Sequence, residues 1–312
     1  EERTPTSGRS VPRPAPADER KPSRPPAAQE PRARPPARRG GAGPRKPVAP
    51  VAAPSGHEFL YGRHAVLEML LAGRRKVYRI HLLEGTSASG IPGEIASRAR
   101  LRGITVTEVS RQALDAVGPV NHQGVVAEVD PYTYAGLDDL LTDNLPEDAL
   151  LLVLDHLQDV QNMGTLLRTA EAMGVLGVIL PDRRSAEITP AAVNASAGAV
   201  EHLRAAVVHN LAQTLDRCKA AGVWVAGLDA GPGAVPLARA DLKGRIALVV
   251  GAEGEGLARL VREKCDWLLA IPMYGKVASL NAAVAGSIAL VAARQAQRGS
   301  GVAAAREEEV II

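Results

Sequence analysis

Two short apolar runs near the C-terminus, Ala247–Val250 and Trp267–Ile271, each lead straight into a turn rich in Gly, Pro, Ser, Asn and Glu. Ligands in open parallel sheets sit outside the carboxyl ends of the strands, so polar residues just after strands are candidate site residues. Glu253, Ser279 and Asn281 meet that condition. The run Ala278-Ser279-Leu280-Asn281 also brings a hydroxyl and an amide to the start of a helix predicted over Leu280–Gln297. Helix starts have unpaired backbone N–H groups that such side chains can cap. A third polar cluster, Asp155 to Asn162, leads into a helix predicted over Met163–Met173, with Asn162 at its expected N-cap. Arg168 follows six residues on, and Glu171 is close enough to it for a surface ion pair. Its neighbours Leu166, Leu167, Ala170 and Met173 are apolar, and an arginine set so closely among core positions usually has a dedicated partner or ligand.

The chemistry open to these clusters is limited. Gly251-Ala252-Glu253-Gly254-Glu255-Gly256 has the order GxxGxG, which is not the dinucleotide fingerprint GxGxxG, and no Walker lysine is present. Glycines after a strand still let a backbone approach a ligand closely. Two carboxylates among them disfavour a phosphate and suit a ribose or amino group. No Ser-His-Asp arrangement occurs. His81, His122, His156, His202 and His209 are scattered without metal-ligand spacing, so no metal is expected. Cys218 and Cys265 have no pairing motif and read as buried thiols in a reducing compartment, with cytoplasm the default.

The elements that must position these residues follow from patterning. Residues 1–56 are Pro, Ala, Arg and Gly with few large apolar side chains, and carry 12 Lys/Arg against 5 Asp/Glu. Such a segment cannot offset chain entropy by burial and reads as a disordered basic tail, with RNA or another polyanion as a natural partner. The chain's net charge of +3 therefore comes from the tail, and the remainder is mildly acidic. Residues 57–130 alternate helical and strand patterns as a small α/β domain. Residues 131–148 read as a linker. From residue 149 to 300, strands and helices alternate with short connections, which predicts a parallel, doubly wound α/β sheet. Residues 301–312 are expected to fray. No apolar run is long enough to span a bilayer.

Taken together, Gln158-Asp159-Val160-Gln161-Asn162-Met163-Gly164 with Arg168, then Val250–Gly256, then Ile271-Pro272-Met273 with Ser279-Leu280-Asn281, resemble the SpoU family of RNA ribose 2′-O-methyltransferases, within the SPOUT superfamily. Leu60–Val66 and Asn121–Ala127 resemble the two ends of the family's accessory RNA-binding domain, which is L30e-like and typical of its 23S rRNA guanosine branch. The resemblance implies a C-terminal trefoil knot and a homodimer. It implies S-adenosylmethionine as cofactor, held near Gly251, Ile271 and Leu280, with Leu228 and Met273 as further contributors. It implies Arg168 as catalytic residue, with Asn162, Glu253, Ser279 and Asn281 as site residues. Tyr274, Lys276 and Ala278 depart from the family's small or hydroxylated residues. The other readings are a ribose methyltransferase acting on tRNA or another rRNA nucleoside and a catalytically silent RNA-binding protein of the same fold. A nucleotide-cofactor dehydrogenase is disfavoured by the glycine order.

Overall fold

A computed structural model describes residues 56–299. Residues 1–55 of the expected tail and the expected frayed end at 301–312 lie outside the described residues. The first sheet contains β1 (Glu58–Tyr61), β2 (Val77–Leu83), β3 (Thr105–Val109) and β4 (Val125–Val129), in the order β1-β4-β2-β3. β2 and β3 run parallel, and the other two pairings are antiparallel. Helices α1 (Arg63–Ala72) and α2 (Gly90–Leu101) pack against each other, and the short α3 (Arg111–Asp115) follows β3. Gly73 ends α1 in the left-handed conformation, where a residue without Cβ suffers no clash. The following segment carries α4 (Leu137–Leu140), whose buried Leu140 fills the space that a side chain at Gly177 would need.

The second sheet has seven strands, all parallel. They are β5 (Leu150–Asp155), β6 (Gly177–Pro181), β7 (Ala205–Val208), β8 (Trp224–Leu228), β9 (Val235–Pro236), β10 (Ile246–Gly251) and β11 (Trp267–Ala270). Their order is β7-β6-β5-β10-β8-β11-β9, so the late strand β10 lies between the earlier β5 and β8. The continuous apolar run of β5 is buried throughout, as expected for a parallel strand covered on both faces. Because side chains alternate along a strand, Leu150, Leu152 and Leu154 enter one core while Leu151 and Val153 enter the other. The first core receives α5 (Val160–Ala172), α6 (Pro190–Ala195) and α9 (Ala282–Arg298). The second receives α7 (Leu211–Ala220) and α8 (Arg259–Lys264).

The two sheets are tied together rather than strung on a loose connector. One apolar core runs from Leu60 and Leu70 to Leu150 and Leu152. The buried Arg75 guanidinium pairs with Glu58 and, at 2.8 Å, with the buried Glu201. Asn194 Nδ2 donates to the Tyr61 carbonyl at 3.1 Å, and the Tyr132 hydroxyl donates to the Leu203 carbonyl at 2.7 Å. Neither β9, with two residues, nor α8, with six, was expected from periodicity, because each is much shorter than the window over which a repeat can be read.

Candidate active site

Side by side in the sheet, β8, β10 and β11 end at a cavity of about 460 Å³. Its walls include Leu228 at the end of β8, Gly251 at the end of β10, and Ile271, Met273 and Leu280 from the loop joining β11 to α9. Gly251 has no room for a side chain, since a Cβ there would lie 2.2 Å from the Gly256 carbonyl oxygen. The loop folds back so that the Gly256 N–H donates to the Ala252 carbonyl at 3.0 Å. Gly254 and Gly256 both adopt positive φ, at 81° and 69°. Beneath this loop, Asp155 pairs in register with Gly251 and is fully buried. Its Oδ2 accepts from the Ala258 N–H at 2.6 Å, and its Oδ1 contacts the His156 ring.

At the rim, three residues from three separate parts of the chain meet: the first turn of α5, the glycine loop after β10 and the N-cap of α9. Asn281 Nδ2 donates to Asn162 Oδ1 at 2.8 Å and to Glu253 Oε2 at 3.1 Å. Asn162 Nδ2 donates to the same Glu253 oxygen at 3.3 Å. The Asn281 amide is oriented by its own helix, because its Oδ1 accepts from the Ala283 and Val284 N–H groups at 2.9 and 3.2 Å. Asn281 is thus the N-cap of α9, which starts two residues later than expected from Leu280. Asn162 is not the N-cap of α5. Asp159 fills that role, accepting from the Asn162 N–H at 2.7 Å, and Asn162 occupies the third helical position. The correction matters, because a capping side chain would be used up by its own backbone. Here the Asn162 side chain is free to reach across to Glu253. The N-termini of α5 and α9 converge on the Glu253 carboxylate, a favourable arrangement for an anion.

Ser279 lines the cavity without capping α9. Arg168 lies on α5 two turns beyond Asn162, solvent-exposed. Among the described residues it makes no ion pair with Glu171 or any other carboxylate, so neither a surface pair nor a buried partner occupies it. The structure therefore assembles Asn162, Glu253 and Asn281 and leaves Arg168 facing solvent. Tyr274 is 97% exposed on the same loop as Met273. Asp229 was missed by sequence reasoning. It lines the cavity directly after β8, accepts from the Gly231 N–H at 2.7 Å and pairs with Arg262. The signal was available, since it follows a strand as Glu253 does. Burial pushes the Cys218 thiol up to about 11 and that of Cys265 up to about 12, so neither is a ready nucleophile. No group of three or more His, Cys, Asp or Glu side chains able to hold a metal occurs among the described residues.

Fold and cavity together define an α/β enzyme that presents a backbone-walled pocket at the ends of adjacent parallel strands. Comparison with known proteins narrows that class. Residues 149–291 match the SpoU rRNA Methylase family, and residues 59–135 match the RNA 2′-O ribose methyltransferase substrate binding family. A Bacillus subtilis (strain 168) protein named as a TrmH family tRNA/rRNA methyltransferase is 42% identical over 239 residues, covering 74% of this chain and 93% of that protein. A Staphylococcus aureus (strain COL) protein with the same family name is 42% identical over 231 residues, covering 73% of this chain and 92% of its own length. The crystal structure of an AdoMet-bound rRNA methyltransferase from Sinorhizobium meliloti superposes with a TM-score of 0.64 at 27% identity, covering 77% of this chain and 87% of that one. The chain belongs to the SpoU (TrmH) family of RNA methyltransferases.

Proposed function

We propose that this protein uses S-adenosylmethionine to methylate the ribose 2′-hydroxyl of a guanosine in large-subunit (23S) rRNA. The observation that carries the reading is that the glycine-walled cavity and the polar cluster share Glu253. A cofactor cavity and a substrate-facing cluster thereby meet at one point.

The residues present fit the cofactor. Gly251 lets backbone approach it, while Leu228, Ile271, Met273 and Leu280 offer apolar faces to a purine and a methionine chain. Asp229 and Glu255 offer acceptors for ribose hydroxyls or amino groups. When bound, S-adenosylmethionine supplies a methyl group already activated on a sulfonium. The chain must then align a hydroxyl with that methyl and remove a proton. Arginine as a residue type stays protonated in water, so it is an awkward base and a good donor. Arg168 therefore holds the 2′-hydroxyl and its neighbouring phosphate, which takes the proton. Gly251, Ile271 and Leu280 would hold S-adenosylmethionine, and its activated methyl would then be available to the 2′-oxygen. Asn162, Glu253 and Asn281 keep the loop geometry fixed through the reaction, and Ser279 contributes at the cavity wall.

The match of residues 59–135 to a substrate-binding family supports an extended RNA substrate such as rRNA. The same reading includes a C-terminal trefoil knot, with the helix expected from Leu280 as the segment that passes through it. It is supported by the insertion of β10 between β5 and β8 and by the return of α9 onto α5, where Thr169 Oγ1 and Ser287 Oγ lie 2.8 Å apart. It includes a homodimer, supported by exposed Val284 and Ile288 one turn apart on α9. It places the protein in the cytoplasm, in keeping with two free thiols. Mass-spectrometric mapping of ribose methyls in RNA from a strain lacking this gene tests the reading. Loss of one guanosine 2′-O-methyl in 23S rRNA, restored by complementation, is expected. Loss confined to tRNA would overturn the rRNA assignment.

A further inference from the structure

The first sheet has a cavity of its own, about 500 Å³, bounded by the start of α1, the end of β2, α3 and the segment 120–124 before β4. Two cations face it. The Arg63 Nε donates to the Gln123 carbonyl at 3.0 Å, which fixes the side chain and leaves its terminal nitrogens without a partner among the described residues. Arg111, at the first position of α3, makes no ion pair or side-chain hydrogen bond among the described residues. Asp115, the one carboxylate in the lining, is partly engaged: its Oδ1 lies 2.9 Å from the Nε2 of His122.

His122 is buried at 4% exposure and shows how the segment is held. The Gly124 N–H donates to its Nδ1 at 2.9 Å, so the ring proton sits on Nε2 and points to Asp115. Between these two anchors, Gln123 is forced to a φ of 51°. A non-glycine residue in that region is strained, and such strain concentrates where surrounding structure over-determines a functional segment. The exposed Asn121 and Gln123 side chains line the cavity, the Gln123 Oε1 accepting from the Arg63 N–H at 3.3 Å and leaving its amide N–H groups available, while Leu83 and Val120 supply apolar wall. No Phe, Tyr or Trp lines it, and the His122 ring in the lining is buried and held by Gly124 and Asp115, so recognition would run through hydrogen bonds to an edge rather than ring stacking.

We infer that this cavity takes one unpaired nucleotide of the RNA substrate. Arg63 and Arg111 bind its phosphates, and Asn121, Gln123 and Asp115 read its base edge. Arginine forks match phosphate oxygens, and amide and carboxylate groups discriminate base edges. Proteins read RNA sequence chiefly on such splayed, single-stranded nucleotides. The inference rests on the RNA methyltransferase reading and adds a recognition site on the sheet that does not carry the cofactor cavity.

The test compares the full-length protein with the double variant Arg63→Gln/Arg111→Gln, and with Arg111→Gln alone, on 23S rRNA from a strain lacking the gene. The double variant should raise KM for RNA at least about tenfold, with kcat and the calorimetric affinity for S-adenosylmethionine changed less than about twofold. In filter binding, its slope of log affinity against log salt should flatten by about 1.4, the value for two lost contacts to single strands. Arg111→Gln, which breaks no contact within the protein, should show about half that flattening. Unchanged KM and salt slope in the double variant would overturn the inference. If the unmodified protein methylates no RNA, the methyltransferase reading falls instead. Filter binding then judges the cavity alone, and equal affinity of the two proteins overturns it.

Discussion

The two cavities of this molecule are built in opposite ways. The one in the parallel sheet is closed on itself: Asn162, Glu253 and Asn281 satisfy one another, and both polar ends of Asn281 are used. The one in the mixed sheet leaves its cations unpaired, with Arg63 held only at Nε and Arg111 held by nothing among the described residues. A cofactor of fixed shape favours a pre-organised wall, since ordering the wall on binding would weaken affinity. A nucleic-acid strand arrives with charge, and free arginines give it a place to settle. Arg168 belongs to the second type although it lies on α5, which packs on the parallel sheet. Like Lys276 on the loop that carries Ser279 and Asn281, it is left open to solvent with no carboxylate partner among the described residues.

That contrast can be broken or sharpened by substitution. The largest effect is expected for Arg168→Ala, which should lower kcat by about 100- to 1,000-fold, as when a donor to developing charge is removed. Calorimetry should show its cofactor affinity nearly intact. Lost affinity would mean that Arg168 is part of the closed wall after all. Next comes Gly251→Ala. Its added Cβ would collide with the Gly256 carbonyl, so the glycine loop must shift, and cofactor affinity should fall by about tenfold or more. An intermediate effect is expected for Asn281→Ala, which removes a cap and the donor to Glu253. Denaturant titration should show a loss of about 1–2 kcal/mol. A loss near zero would show that the lock is incidental.

The smallest effect concerns pH. Burial, with help from the Arg79 charge, lowers the pKa of His81 in the mixed sheet below the ordinary imidazole value of 6.5. Well above 6.5 neither folded nor unfolded chain protonates this ring. As pH falls below 6.5 the unfolded chain takes up the proton and the folded one resists, so stability is lost downward from that point. His81→Leu should flatten the stability profile between about pH 6.5 and 5. An unchanged slope would assign the acid sensitivity elsewhere.

Much of this architecture was legible in the sequence, for identifiable reasons. The continuous apolar run Leu150–Leu154 marked a strand buried on both faces, and β10 and β11 were marked by the polar turns that follow them. Their glycine and asparagine turns then pointed to strand ends, where the cavity lies. What stayed hidden depends on distance in the chain. Glu253 lies 91 residues from Asn162 and 28 from Asn281, and no local pattern announces that three such side chains will meet. The same holds for the Arg75–Glu201 pair that ties the two sheets. Asn162 also looked like a cap because it stood at the edge of the apolar periodicity, whereas the helix had already begun two residues earlier at Val160, capped by Asp159.

The central claim is that the acceptor is a ribose oxygen of rRNA, and alkaline hydrolysis tests it directly. The 2′-hydroxyl is the nucleophile that cleaves RNA in base, so a 2′-O-methyl protects the adjacent phosphodiester. Purified protein would be given methyl-labelled S-adenosylmethionine and 23S rRNA from a strain lacking the gene, and the product digested in alkali. The label should remain in an alkali-resistant dinucleotide whose first nucleoside is guanosine. Label recovered in mononucleotides, on a base, would contradict the account.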